Sequence, residues 1–569
     1  MLQGDPNVPS PARVLRKVIQ RAVALSAVVL LSATACTSPT PVAPSTTAAP
    51  TVAPTPTVFT FGTGSDPLGF DPALVSDTES YRVTRQVMEG LLTIDSVTGD
   101  PAPSLATEWA TDDDGLSYTF KLRKDVAFHD GTPFDAAAVC TNFDRWYSMP
   151  VATRGDGSAA MFKQVFRAFN DDPKNSLYEG CTVDGPLEVT LELKTRLTGF
   201  LPALTLPAFA ISSPTALKTN TANVLDQALA SNKVSRYGLH PVGTGPFTFG
   251  SASAGSVTMQ ANKDYWGEKG QITTLKFKTF EQSATRLAAL EDGSIDGYDP
   301  VTPDNLDKLI KSGKQVLQRD PFSVMYLGIN QKIPALADLK VREALAAAID
   351  KSTLVNNFFI AGTAATAQFI PPKLSGFNNA VAGIAYDPQK AKTLLADSSY
   401  KGEELTFYYP TDTARTYLPT PEKVYAQIAA ELTKVGFNIK PVPIPWNEGY
   451  LAAVTDDGKH ALSLMGWNGS YADPDNFVGP IFGSPGAELG MVDPQLVSKI
   501  TRARSMPNGP DRIAAYASIS KQIAATVPAV PIAFPISAIA LSDRVASYPL
   551  SPVLNEVFNY VKLTPPATG

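Results

Sequence analysis

Residues 105–135 read LATEWATDDDGLSYTFKLRKDVAFHDGTPFD. Tyr118, Phe120 and Leu122 alternate there with Ser117, Thr119, Lys121 and Arg123, the two-residue period of a half-buried strand. Asp112-Asp113-Asp114-Gly115 just ahead predicts a turn into that strand, because Gly tolerates positive φ. His129 falls in a second turn, FHDGTP. Both turns read as scaffold: the acidic triplet as a solvated bend rather than a metal site, and His129 as a fold residue rather than a base.

Outward from this segment the alternation recurs, with Val189, Leu191 and Leu193 set between Glu188, Thr190, Glu192 and Lys194. Helices are predicted after Asp338, after Asp387-Pro388 and after Thr420-Pro421, each with an N-cap candidate and two with proline at the first helical position. The last of them closes at Gly436, and Ala461–Trp467 reads as a continuous apolar strand. Alternating strands and helices over the whole body predict α/β lobes rather than a bundle or a sandwich. Ile523–Leu541 is strongly apolar, but Pro528, Pro531 and Pro535 forbid a regular membrane helix and predict a buried strand and crossover.

Further segments follow in order: DPALVSDTESYRVTRQVMEGLL at 71–92, PVGTGPFTF at 241–249, NKDYWG at 262–267, RLAALEDGSID at 286–296, LKVREALAAAIDK at 339–351 and YDPQKAKTLL at 386–395. Together with residues 105–135 they resemble the family 5 bacterial solute-binding proteins, the peptide and nickel receptors of importers, over nearly all of residues 58–550. The resemblance implies an α/β, two-lobed periplasmic-binding-protein-like fold (type II, cluster C). Its first lobe is discontinuous, 58–320 with an extra subdomain plus 531–569, the second lobe is 321–530, and two chain crossings make the hinge. The implied function is capture of a solute between the lobes and delivery to the membrane permease subunits of an ATP-binding-cassette importer. Closure is then a ligand-driven population shift. A monomer without cofactor, resident metal or catalysis is implied.

At the N-terminus, Arg13, Arg16, Lys17 and Arg21 precede the apolar run Ala22–Leu31 and the small residues Ser32-Ala33-Thr34-Ala35-Cys36, an export signal. That run is half of the roughly twenty residues a helix needs to cross a bilayer. Residues 1–36 resemble a bacterial lipoprotein signal, cleaved before Cys36 so that the thiol receives a diacylglycerol and anchors the chain to the outer face of the cell membrane. Ala33 stands where that motif usually has Leu, and a freely soluble form is the alternative. Residues 37–57, built of Ser, Thr, Pro, Ala and Val, read as an uncharged tether that cannot bury enough surface to offset its own ordering. Without residues 1–35 the 48 Lys+Arg and 54 Asp+Glu of the chain become 44 and 53, a net of −9, which argues against nucleic-acid binding. Cys140 and Cys181 are expected to pair in the oxidising exterior, two buried free thiols being the alternative. With only His129, His240 and His460, a histidine-rich metal site is not expected.

In dipeptide receptors of the family an arginine in an Arg-x-Tyr-x-Pro segment grips the peptide carboxylate, and an acid in a Gly-Trp-x-x-Asp loop grips the amine. Here the first reads Arg415-Thr416-Tyr417-Leu418-Pro419 and the second Gly466-Trp467-Asn468-Gly469-Ser470, followed by Tyr471-Ala472-Asp473. The resemblance thus implies a ligand set of Arg415, Tyr417, Trp467, Asn468, Gly469, Ser470, Tyr471 and Asp473. A guanidinium fork suits a carboxylate because it donates two parallel hydrogen bonds. Ser470 departs from the pattern and weakens ammonium binding by about tenfold or more. Three outcomes stay open: Asp473 or another acid replaces the charge, the peptide is longer or blocked, or the ligand is an oligosaccharide, an opine-like conjugate, haem or a metal chelate. A ligand sensor without transport looks the same in sequence. An exported enzyme is disfavoured, since no G-x-S-x-G elbow, H-E-x-x-H helix, P-loop or dinucleotide fingerprint occurs.

Overall fold

The computed structural model describes residues 57–75, 77–95, 98–154, 159–225, 234–491, 493–553 and 555–564. The expected export signal, Cys36 and all but the last residue of the tether lie outside them. Three main sheets carry the chain. One has seven strands, among them Val58–Thr63, Thr274–Thr279, Gln315–Gln318 and Ala538–Leu541. Val58–Thr63 lies in its interior, parallel to Thr274–Thr279 and to Gly297–Tyr298, and its Phe59 and Phe61 are fully buried against the Phe558 ring. This is the first lobe, and its sheet is completed by a strand from the far end of the sequence.

The extra subdomain is a four-stranded antiparallel sheet of Ala106–Thr111, Ser117–Leu122, Glu188–Leu193 and Tyr178–Gly185. Tyr118 faces Leu191 and Phe120 faces Val189, so the two alternating patterns meet on one buried side, under the helix Ala136–Tyr147. A disulfide joins Cys140 on that helix to Cys181 on the strand below, with Cα atoms 5.3 Å apart. The acidic triplet is a turn: Gly115 has φ +65°, and the Asp112 carboxylate accepts from the backbone N–H groups of Leu116 and Ser117. The His129 backbone N–H donates to the Gly243 carbonyl, and its Nε2 lies 2.9 Å from the Gly245 carbonyl oxygen. Gly245 in turn donates to the carbonyl of Val87, and a Cβ there would stand 2.7 Å from the Gln86 carbonyl oxygen, so the close approach requires glycine.

The second lobe is a six-stranded sheet around Ser323–Ile329, buried along its whole length between Leu462–Asn468 and Ala529–Phe534. Burial on both faces explains why these strands read as unbroken apolar runs. Asp338 and Asp387 cap their helices with side-chain acceptors, and Gly436 closes Pro421–Val435 in the left-handed region. Thr420 does not cap: its hydroxyl donates to the Phe358 carbonyl instead.

The chain passes between the lobes after Gln318 and after Phe534. The expected return at 531 is corrected to 535, because Ala533 and Phe534 still pair with Met325 and Ala364 inside the second sheet. The predicted strand over Ile523–Leu541 is likewise divided: Ile523–Thr526 end the helix Pro510–Thr526, and two strands follow. Pro531 sits at an irregular pairing and Pro535 in the crossing, the places where a missing N–H costs least. The two crossings are tied side by side by the Arg319 N–H, which donates to the Ser537 carbonyl at 2.9 Å. The buried Arg319 guanidinium pairs with Asp299 and Glu556 and fixes this end of the hinge to the first lobe.

Candidate ligand-binding cleft

On the second lobe, Arg415 and Tyr417 lie in a short loop closed by reciprocal backbone hydrogen bonds between Arg415 and Leu418. The Arg415 guanidinium stacks 4.2 Å from the centre of the Trp446 ring and reaches the Tyr417 hydroxyl. It makes no ion pair among the described residues. The Tyr417 ring lies flat against the backbone of Gly466, where any Cβ would collide with it. This contact sets the two motif segments side by side.

Trp467 and Asn468 end the strand Leu462–Asn468 opposite Val324 and Ser323. The Trp467 Nε1 and the Asn468 Oδ1 are buried and have no hydrogen-bond partner among the described residues. Gly469 donates its N–H to the Phe322 carbonyl and fits between the Phe322 and Phe477 rings. The Ser470 N–H donates to Asn476 Oδ1 at 2.7 Å, which folds the loop back on itself. Thr416, Asn468, Gly469 and Phe322 line a small cavity that opens against Pro535 and Ser537 of the crossing.

Arg415, Tyr417, Trp467, Asn468 and Gly469 are therefore gathered at the hinge side of the second lobe. Tyr471 and Asp473 are not. Tyr471 is 6% exposed and packs into the apolar core of the first lobe's extra subdomain. Asp473 is 4% exposed, and its carboxylate accepts from Arg512 at 2.9 Å and from the Asp475 N–H. Of the outcomes left open, replacement of the missing loop charge by Asp473 is opposed by this pairing: a buried carboxylate held by Arg512 ties the loop together. Asp475 is committed in the same manner to Arg504.

Facing these groups from the first lobe is the start of the helix Thr78–Val87. Asp77 caps it, accepting the Ser80 N–H on Oδ1 at 2.8 Å, while Oδ2 is buried without a partner among the described residues. Burial pushes the Asp77 carboxyl up, against the Ser80 hydrogen bonds and the Arg415 charge, which pull it down. The Tyr81 hydroxyl, on the same helix, is also buried and has no partner among the described residues. Sequence reasoning missed both; the N-cap pattern Asp77-Thr78-Glu79-Ser80 was visible, but nothing local says that it looks across a cleft.

The lobes touch. The Thr198 N–H donates to the Arg504 carbonyl at 3.1 Å, its hydroxyl donates to the Met506 carbonyl, and Lys423 pairs with Asp304 at 2.7 Å. A discontinuous lobe, a lobe inserted within it, two adjacent crossings and unsatisfied polar groups on both facing surfaces describe a clamp. The model of the bacterial extracellular solute-binding proteins, family 5, middle part, matches residues 100–488. The chain belongs to that family. Family 5 solute-binding proteins are extracytoplasmic, and their relatives here are named as binding proteins rather than enzymes. The heme-binding protein A of Haemophilus influenzae is 28% identical over 520 residues, 88% of this chain and 91% of that protein. The dipeptide-binding protein of Escherichia coli is 28% identical over 441 residues, 74% and 78% of the two chains. A periplasmic binding protein of Helicobacter pylori associated with an ABC transporter, solved with the peptide STSA, has a TM-score of 0.76 at 25% identity, over 89% of this chain and 98% of that one.

Proposed function

We propose that this family 5 protein captures short peptides between its lobes and hands them to the permease subunits of an ABC importer, working as a monomer held to the outer face of the membrane by a lipid on Cys36. The observation that carries the reading is Arg415, a guanidinium positioned by Trp446 and Tyr417 and left, among the described residues, without an ion pair beside the hinge. A peptide carboxylate accepts two hydrogen bonds from such a fork. Trp467 Nε1 and Asn468 Oδ1 add one donor and one acceptor, the complement of a peptide group. The E. coli relative named for dipeptides supports the same class.

Mass spectrometry of what residues 37–569 release on denaturation, after purification from a bacterial host, tests the reading. Peptides are expected. Haem, a sugar or a metal chelate in their place would keep the family and overturn the ligand class. Retention of the full chain in the membrane fraction, and its loss in Cys36→Ala, tests the anchor.

A further inference from the structure

We propose that Asp77, from the first lobe, supplies the anion for the ligand's ammonium group, so that a peptide is gripped by its carboxylate on one lobe and by its amine on the other. The inference rests on the peptide reading above and deepens it. The second lobe cannot perform both tasks from its own loop: position 470 is a serine, and Asp473 and Asp475 are consumed by Arg512 and Arg504. Asp77 is different. One of its oxygens caps the helix and the other is buried with no donor, an arrangement that costs free energy until a donor arrives.

Its opposite number is Arg415. The Arg415 guanidinium charge acts on the Asp77 carboxyl, and no ion pair joins the two. An unpaired anion on one lobe and an unpaired cation on the other match a zwitterion laid between them. The remaining unpartnered groups fit the same molecule: the Tyr81 hydroxyl lies one helical turn from Asp77 on the same face, and Trp467 Nε1 and Asn468 Oδ1 lie on the other lobe. Together they offer donors and acceptors to a peptide backbone, with an acid at one end and a base at the other.

The arrangement has a mechanical consequence. When one lobe holds both ends of a ligand, closure adds contacts to a solute already bound. When the ends are held by opposite lobes, the ligand is itself the strap, and a solute lacking one terminus leaves the lobes apart. The binding energy that favours the closed state then depends on both charges.

Calorimetry and solution scattering with Leu-Leu and N-acetyl-Leu-Leu test this. Asn is as good an N-cap as Asp, so Asp77→Asn removes the charge and keeps the helix start. The expected result is a loss of about tenfold or more in affinity for Leu-Leu in Asp77→Asn, with no change for the acetylated peptide. Leu-Leu is expected to compact the wild type and N-acetyl-Leu-Leu to leave its radius unchanged. Adding Ser470→Asp to Asp77→Asn is expected to restore affinity for Leu-Leu without restoring compaction. Equal loss for both peptides, or no loss for either, overturns the role of Asp77 while the peptide reading stands. A wild type that binds neither Leu-Leu nor a mixed pool of di- to pentapeptides overturns both.

Discussion

The Arg512 guanidinium donates to the Asp473 carboxylate at 2.9 Å with both side chains all but sealed from water, while Arg415 on the same lobe has an aromatic face and a phenol but no anion. Breaking a buried pair from one side leaves an uncompensated charge, which costs about 3–5 kcal/mol. Arg512→Met is therefore expected to destabilise the protein by about that much in urea unfolding, and Asp473→Leu in the same chain to recover most of it. Failure of the second change to rescue the first would show that Arg512 acts through its bond to the Ala503 carbonyl. Arg415→Ala should leave the unfolding midpoint nearly unchanged and weaken peptides with a free C-terminus more than tenfold. Peptide amides, which present no carboxylate, should bind the variant and the parent alike. Equal weakening of acids and amides would return Arg415 to the scaffold.

Among the elements, the strand Ser323–Ile329 carries a titratable partner at its centre. The Tyr326 hydroxyl donates to Glu488 at 2.7 Å, and burial pushes the Glu488 carboxyl up to about 7 in spite of that bond. The buried phenols of Tyr417 and Tyr450 lie near it. Its folded value exceeds the ordinary value of 4.5, so between the two the folded chain holds the proton more tightly than the unfolded one. The group accordingly favours folding least above about pH 7, and stability falls as pH rises from about 4.5 to 7. Glu488→Gln keeps an acceptor for Tyr326 and removes the ionisation. The variant is expected to gain in melting temperature over the parent at pH 8 and to match it near pH 4.5. A gain independent of pH would mean that Glu488 titrates alike in the folded and unfolded chains, and that burial does not shift it. Glu89, which accepts from Thr244, Tyr265 and Trp266 and is also pushed up to about 7, sends the parent's stability in the same direction.

At the scale of the molecule the two lobes meet along an edge made of unlike contacts. Lys423–Asp304 is an exposed pair of the kind worth at most about 1 kcal/mol, whereas Tyr471 carries a whole aromatic side chain from one lobe into the core of the other. Closure should therefore be governed by Tyr471 more than by the surface charges. A saturating peptide is expected to reduce the radius of gyration of the parent in solution scattering. Tyr471→Ala is expected to blunt that compaction and to weaken binding, although the side chain points away from the ligand set. Full compaction in the variant would locate the closing energy elsewhere.

Much of the fold was legible in the chain itself. The period at Tyr118, Phe120 and Leu122 and at Val189, Leu191 and Leu193, and the caps at Asp338 and Asp387, depend on neighbours a few residues away, and they appear where the pattern puts them. Ordered segments from 71 to 395 sufficed for the family because spacing along the chain is itself sequence information. The candidate ligand groups were only half legible. Arg415, Tyr417, Trp467, Asn468 and Gly469 come together at the hinge, but Tyr471 and Asp473, a few residues on, are spent on packing and on Arg512. An acidic side chain looks the same in sequence whether its partner is a ligand or an arginine 39 residues away. The sequence by itself determined the elements, the family and Arg415 as the candidate carboxylate ligand, all set by short-range pattern. Only the tertiary structure decided which acid is left unpaired, because that depends on what 337 residues of intervening chain bring face to face between Asp77 and Arg415.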